Sequence, residues 1–497
     1  MGNVVDLLLG AVNAGAFILC GAFIAYVALI VIPLLRHRPG AMGDPSRYHW
    51  AFLVPCLDEE RVIRTTVKAL LRKFPRAEVW CVDDASVDAT PVILAKLAAA
   101  SRRVHVVSRR QPAARQGKGS ALNAGWRALA TRVRRDIDAG QVIVGVVDAD
   151  GHLDPNCLRV ISGPGFFGDP DVGAVQVKVR VKAHSGGWGR GGRWSERFLV
   201  RMQDMEFSGV IAAMQMLRRH LGSVGMGGNG QFTRLSVLNR IAKEHGSPWH
   251  GALLEDFELG LHVLLGGSRT EYCHDTWVVQ EGLPSLGALV RQRSRWAQGS
   301  IQCLRYLVPV LRSPRVSTSA ALEIAYFLFL PWIQMAGGLL YLVCVGIMVD
   351  VVLTAPGGSS AWLAMSAWGI VPLFVCFGLA PLVVWGPIYR VTEEPRLGRL
   401  SSLMLGLANW PYIYVHHAAT WWAFIRVLRS RNDWMKTDRI QPAPSPLAML
   451  AALWMRSSRQ LAPPPMPPGP RPVGLRRRLG IAPAPPLSNI SVRWENQ

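Results

Sequence analysis

Acidic side chains gather at four places where an apolar run of the chain gives out. VPCLDEE (54–60) ends in Asp58, Glu59 and Glu60, and VDDAS (82–86) carries Asp83 and Asp84. VVDADGHLDP (146–155) delivers Asp148 and Asp150 two positions apart, and LLEDFELG (253–260) sets Glu255 and Asp256 ahead of a helical spacing at Phe257, Leu261 and Leu264. Adjacent carboxylates repel unless a cation or a hydrogen-bond donor lies between them. Carboxylates two apart at a sheet edge can share one hard cation, and Mg²⁺ or Mn²⁺ suits oxygen ligands while keeping positions open for substrate phosphates. At a helix start facing such a pocket, Asp256 can accept the proton of an attacking hydroxyl, or serve as an N-cap, with Glu255 taking the other role. Any one of these pairs alone is as readily a turn or a complement to a helix dipole. Their succession along one chain is what points to a site.

Three further groups fit the same chemistry. In QRSRW (292–296), Gln292 and Arg295 share a helix face with Trp296 beside them. Arg can neutralise a diphosphate and Trp can stack on a sugar ring or a base; the bland alternative is a basic helix lying on lipid headgroups. GMGGNGQFTR (225–234) has glycines, Gly230 among them, that let backbone approach a ligand, and Asn229 and Gln231 can hydrogen-bond sugar hydroxyls. Lys118 stands between glycines in QGKGSALNAG.

These residues need elements to hold them. Between 48 and 276, short apolar runs (AFLVPCL, EVWCVDDA, RVHVVS, VIVGVVDAD, VGAVQVKVRV) alternate with helical stretches such as Glu60 to Lys73 and Ala89 to Ala100. That alternation predicts βαβ units and a largely parallel sheet, whose ligands gather at the carboxyl ends of its strands. On either side the composition changes. Leu7 to Leu35 carries no charge and exceeds the roughly 20 residues that cross a bilayer. Arg36, His37, Arg38 and Arg47 follow it, which places that flank in the cytoplasm. Further spans are predicted at 320–349, 361–389 and 403–427. The last contains Asn409, Pro411, His416 and His417 and reads equally as a re-entrant or interfacial element. From Gln441 a Pro- and Arg-rich tail is predicted to be disordered, with a short amphipathic helix near Leu447 to Leu461.

Composition agrees with a chain partly in lipid. Half of the 497 residues are hydrophobic and 18% are charged. Lys and Arg number 55 against 33 acids, a net charge of +22 that calls for an anionic partner. Acids, not basic-aromatic patches, mark the strand ends of the α/β region, so no nucleic acid is expected as a partner. The eight cysteines show no CxxC pair and lie mostly in apolar runs, which predicts buried, reduced thiols.

Taken in order, VPCLDEE, VDDAS, DAD, ED and QRSRW, with DWMKT at 433–437, resemble the membrane-integrated inverting glycosyltransferases of family 2, the group of cellulose, chitin, hyaluronan and poly-N-acetylglucosamine synthases. The resemblance implies a cytosolic α/β GT-A domain, a mixed, mostly parallel sheet with helices on both faces, inserted between α-helical transmembrane segments. It implies a metal-dependent hexosyltransferase with Mg²⁺ or Mn²⁺. It assigns Pro55, Leu57, Glu59, Asp83, Asp84, Lys118 and Asp148 to the nucleotide-sugar donor, Asp150 with Asp148 to the metal, and Asp256 with Glu255 to catalysis. Gln292, Arg295 and Trp296 are assigned to the pyrophosphate and acceptor, with Asn229, Gly230 and Gln231 on the acceptor side. Expected partners are a nucleotide sugar, with UDP favoured, a carbohydrate or lipid acceptor, the bilayer, and accessory export or cell-envelope proteins. The expected product is a β-linked polysaccharide exported as it grows, the alternative a glycolipid made by single addition. The expected location is the cell membrane, multi-pass. The expected divisions are an N-terminal span (1–47), the catalytic domain (48–276), interface helices (277–318), C-terminal spans (319–428) and the tail (429–497). Two departures stand out: Asp58 where family members commonly have Asn, and Leu254 where they have Thr.

Overall fold

A strand covered on both faces needs apolar residues at every position, and the runs of the α/β region supply them. In the computed structural model, which describes residues 2–133, 137–182, 193–354 and 374–430, β1 (His49–Cys56) sends Trp50, Phe52, Val54 and Cys56 into one core and Ala51 and Leu53 into the other. After the N-terminal helix α1 (Gly2–Leu35) and β1 come α2 (Ile63–Lys73), β2 (Glu78–Asp83), α3 (Thr90–Ala100), β3 (Val104–Ser108), α4 (Lys118–Arg132) and β4 (Val142–Val146). They are followed by β5 (His152–Leu153), α5 (Cys157–Ile161), β6 (Val172–Lys182), α6 (Trp194–Met205), a π-helical turn at Glu206–Ile211, α7 (Ala212–Leu221), β7 (Gln231–Arg234) and α8 (Leu235–His245). The last part contains α9 (Glu255–Leu265), β8 (Arg269–Glu281), α10 (Leu286–Cys303), α11 (Leu307–Arg312) and α12 (Thr318–Thr354). Two longer segments, Trp385–Thr392 and Arg399–Leu428, close the described chain.

The eight strands form one open sheet in the order β3-β2-β1-β4-β7-β6-β8-β5. The β1–β2, β2–β3, β1–β4 and β6–β8 pairs are parallel, and β4–β7, β6–β7 and β5–β8 are antiparallel. The expected mixed, mostly parallel sheet is therefore present. Strand order reverses between β1 and β4, the crevice where open α/β sheets bind ligands. The first and third acidic motifs follow these two strands directly. β8 runs to Glu281, past the predicted boundary at 276, so the strand that ends in Gln280 and Glu281 belongs to the sheet.

Helix α2 starts at Ile63, three residues later than the sequence predicts, because Asp58 to Glu60 are engaged elsewhere. Asp58 N–H donates to Ser86 Oγ (2.9 Å) and Glu59 N–H to Thr90 Oγ1 (2.8 Å), while Asp58 Oδ1 receives Val87 N–H (2.7 Å) and Glu60 Oε2 receives Ala89 N–H (2.9 Å). The loops after β1 and β2 thus clasp each other. Asp58 has φ of 52°, a left-handed conformation that Asp and Asn tolerate better than other side chains, which accounts for Asp in a position usually filled by Asn.

Residues Met1–Gln441 form one compact unit. Val27, Ile30 and Leu34 of α1 pack with Met202, Met216, Trp385, Leu405 and Tyr412, so the N-terminal helix shares a core with the C-terminal helices. Gly386 and Gly406 let the C-terminal segments approach one another: a Cβ on Gly386 would collide with Ser402 O, and one on Gly406 with Val383 O. Among the described residues one helical stretch is long and apolar enough to cross a membrane, Thr318–Leu339, with mean hydropathy 1.3. In α1 the described apolar part, Gly21–Leu35, is shorter than a span. The predicted span 361–389 falls partly outside the described residues, and 403–427 lies in the uninterrupted helix Arg399–Leu428, with Pro411 inside it. The tail, with its predicted amphipathic helix, and DWMKT lie outside the described residues. Cys56, Cys81, Cys157, Cys273 and Cys303 are buried free thiols, whereas Cys376 is exposed.

Buried charge ties the sheet to the C-terminal helices. Arg180 of β6 bonds both Asp204 oxygens (3.0 and 2.8 Å) and Glu393 (2.6 Å), Lys178 reaches Glu393 at 2.8 Å, and Tyr389 donates to Asp204 at 2.7 Å. Removing one partner of such a pair strands a charge out of water. Asp204→Ala should cost about 3 kcal/mol, the lower end of the range because Arg180 keeps Glu393. Thermal unfolding in detergent is the check, and a shift worth less than about 1 kcal/mol, the scale of an exposed pair, would show the network to be marginal.

Candidate active site

Lys118 opens α4, and its ammonium donates to Asp148 Oδ1 and to Gly228 O, both at 2.6 Å. One side chain therefore joins the helix after β3, the loop after β4 and the glycine-rich loop before β7. Asn229 completes the joint: its Oδ1 accepts Asp148 N–H at 3.2 Å and its Nδ2 donates to Gln280 Oε1 at 3.1 Å. Gly228 has to be glycine, since a Cβ there would sit 2.8 Å from the Lys118 ammonium and 3.0 Å from Asp256 Oδ2.

Two cavities meet at this joint. The smaller, about 140 Å³, is lined by Pro55, Leu57, Glu59, Asp84, Asp150 and Glu281. The larger, about 540 Å³, begins at Glu255, Asp256, Asn229 and Trp296 and continues between apolar side chains of α1, α7 and α12. Lys118, Asp148, Gln280, Gln292 and Arg295 line both. The predicted residues therefore converge, with three exceptions. Asp83 turns its Oδ1 to Ser86 N–H (3.1 Å) and closes the turn after β2. Gly230, at φ 73°, donates its N–H to Val146 O (2.9 Å) and starts β7. Gln231, 1% exposed, stands in the sheet opposite Val146 and Gln176 and lines neither cavity. Of the tryptophans in the C-terminal helices, Trp385 lines the larger cavity.

Burial sets the acid-base character. Glu255 is pushed up to about 7 by burial and by the adjacent Asp256, with Lys118 pulling the other way. Burial likewise raises Asp256 above the usual aspartate range, against Lys118 and the N–H of Phe257, which donates to Asp256 Oδ1 at 2.7 Å. For Lys118, burial opposes the charge, but Asp148 and then Glu255 outweigh it and hold the amine above its ordinary value. Asp150 Oδ2 accepts Glu281 N–H at 3.1 Å. Among the described residues no three His, Cys, Asp or Glu side chains are grouped to hold an ion by themselves. Asp148 and Asp150 instead give two hard oxygen donors facing the smaller cavity, which fits Mg²⁺ or Mn²⁺ arriving with the phosphates of a donor.

Some contributors went unnoticed in the sequence. Arg109 pairs with Asp84 and donates to Ser120 Oγ at 2.6 Å. Its signal was the parallel register Asp83↔Ser108, which sets Arg109 beside Asp84. Gln280 and Glu281 are a polar pair at the end of the apolar run WVV, the same pattern that marks the other strand ends.

A carboxyl whose pKa rises on folding stabilises the native state fully below its unfolded value and loses that contribution as pH climbs through the folded one. For Glu255 the loss runs from about 4.5 through about 7. Without nucleotide, Glu255→Gln should match the wild type in unfolding free energy near pH 4.5 and exceed it by about 3 kcal/mol at pH 8. Parallel stability curves across that range would refute the raised value.

With this geometry in view, residues 47–299 match the family described as Glycosyltransferase like family 2. The chain is 31% identical over 276 residues to a beta-monoglucosyldiacylglycerol synthase of Synechocystis, covering 54% of this chain and 51% of the relative. It is 25% identical over 257 residues to a poly-beta-1,6-N-acetyl-D-glucosamine synthase of Staphylococcus aureus, covering 51% and 55% respectively. It thus spans about half the length of the curated relatives it matches. Among solved structures, a mannosyltransferase from Pyrobaculum calidifontis in complex with GDP-Man and Mn²⁺ aligns at TM-score 0.49 and 18% identity, over 81% of this chain and 97% of that one. A match extending from the residues before β1 into the QRSRW helix takes in every strand of the sheet and both cavities' polar ends, and on that basis this chain belongs to glycosyltransferase family 2.

Proposed function

We propose that the protein transfers a hexosyl group, with inversion, from a nucleoside-diphosphate sugar to a hydroxyl of a membrane lipid. One observation carries this: the Glu255–Asp256 carboxylates stand where a small polar cavity opens into a large one walled by apolar helices. The donor nucleotide, UDP by the family resemblance, occupies the smaller cavity against Pro55, Leu57, Glu59 and Asp84. Arg295 and Gln292 take its diphosphate, and Lys118 adds a second positive charge near the same phosphates. Asp150 and Asp148 would hold Mg²⁺ or Mn²⁺ together with the donor phosphates, and the ion would supply Lewis-acid neutralisation of the leaving diphosphate. Asp256 accepts the acceptor O–H proton, the oxygen bonds to C1 from the face opposite the diphosphate, and the C1–O bond to phosphate breaks. An α-linked donor then yields a β-linked product. Burial keeps Asp256 more basic than a surface aspartate, which suits that role.

The walls favour a lipid over a sugar chain. Val27, Ile30, Val210, Met214, Phe327 and Leu330 line the larger cavity among fewer polar groups such as Gln334, Asn409 and Thr420, and a mainly apolar wall suits acyl chains better than the many hydroxyls of a polysaccharide. The relatives named as glucosyldiacylglycerol synthases support the same choice. A processive polysaccharide synthase with export is the second reading, supported by the QRSRW sequence and by the poly-N-acetylglucosamine synthase relative. In both readings the catalytic domain faces the cytosol and the flanking helices hold it at the cell membrane.

Asp256→Asn should lower turnover about 10²–10⁴-fold while leaving the affinity for nucleotide within a factor of about two, the pattern of a lost transition-state group. Purified protein in vesicles containing diacylglycerol, given labelled nucleotide sugars with Mn²⁺ or Mg²⁺, should move label into the organic-extractable fraction. Label confined to a high-molecular-weight aqueous fraction would replace the lipid acceptor with the polymer.

A further inference from the structure

The second residue of QRSRW has had no role so far. Arg293 is 3% exposed, and its contacts run to both ends of the motif. Nη1 donates to Gln292 Oε1 at 2.8 Å, and the guanidinium lies 4.0 Å above the Trp296 ring. Opposite, Nη2 donates to Glu206 Oε2 at 2.7 Å. Glu206 is the first residue of the π-helical turn between α6 and α7, and the same oxygen accepts Tyr412 Oη at 2.6 Å. His416 Nε2 faces the other oxygen at 3.6 Å. Phe207, next in the turn, sets its ring edge-to-face with Trp296 at 5.8 Å. A π-turn widens the helix by one residue and is most often kept where a side chain must be aimed.

We propose that Glu206 and Arg293 are positioning residues for the transfer step: Glu206 fixes Arg293, and Arg293 orients the Gln292 amide and the Trp296 indole over the acceptor end of the site. The inference rests on the reading of the protein as a glycosyltransferase. With Gln292 Oε1 occupied by Arg293, its amide NH₂ is left to point toward the diphosphate. The cation against its face holds the Trp296 ring in one plane. Tyr412 and His416 bring the helix Arg399–Leu428 into the same arrangement, so the tilt of that helix sets the aim of the motif. Glu206, Arg293, Tyr412 and His416 line the larger cavity and stand outside both the proton-accepting pair and the donor cavity.

The test is a kinetic split on purified protein in vesicles of diacylglycerol and phospholipid. Glu206→Gln keeps the shape and an accepting oxygen and should lower kcat about 3- to 10-fold. Arg293→Met should lower it 30-fold or more and raise the acceptor KM well above any rise in the donor KM, which Gln292 ties to the diphosphate. Because a stranded buried charge can unfold a protein, the double variant Glu206→Leu with Arg293→Met is the control. It removes both charges and should recover the unfolding midpoint of the wild type while staying as slow as Arg293→Met. Recovery of kcat along with stability would overturn the proposal, as would a donor KM that rises in step with the acceptor KM. Wild-type protein that transfers no label from any donor would instead defeat the reading of the function on which the inference rests.

Discussion

A single buried cation holds the centre of this molecule. The Lys118 ammonium, at the start of the helix after β3, touches the loop after β4 and the loop before β7 together, through a carboxylate and a carbonyl at the same distance. Without it, Glu255 and Asp256 would share a low-dielectric pocket with Arg295 as the main remaining offset. Burial would then favour their neutral forms further. The lysine lets the carboxylates approach, and the glycine-rich loop is built small at Gly228 to let the lysine in.

The same economy recurs further from the centre. Buried charges come in partnered sets, each spanning elements distant in sequence: Arg180 with Asp204 and Glu393, Arg218 with Glu323 at 2.7 Å, and Glu258 with Arg305 and Tyr306. Apolar packing has no direction, so helices resting on a greasy surface can slide or rotate at little cost. Charge pairs fix the register. They explain why a surface made largely of apolar helices is nevertheless joined to the catalytic sheet at defined points.

Much of the site was legible because its chemistry sits at strand ends, where an apolar run followed by acids is visible without any knowledge of the fold. β1, β2 and β4 were found for that reason, as was the convergence of Asp84, Asp148, Asp150 and Asp256. Less was visible where a polar residue serves the sheet. Asp83, Gly230 and Gln231 have the composition of ligand residues but spend their hydrogen bonds or their burial on turns and ladders, and only three-dimensional pairing reveals that. Arg109 was missed for the converse reason: it meets Asp84 across a strand pairing, and single-chain patterns carry no register. The start of α2 was misjudged because Glu60 looks like a first-turn acid but is committed to Ala89 across the clasp.

That clasp has a consequence for engineering. The segments 58–60 and 86–90 exchange backbone and side-chain hydrogen bonds in both directions, so neither loop has a conformation of its own to preserve. Exchanging one of them with a related enzyme to alter base preference would leave half of a two-part lock. The two must be grafted as a single cassette, and sequence changes on one side should be tolerated chiefly when the other side changes in step.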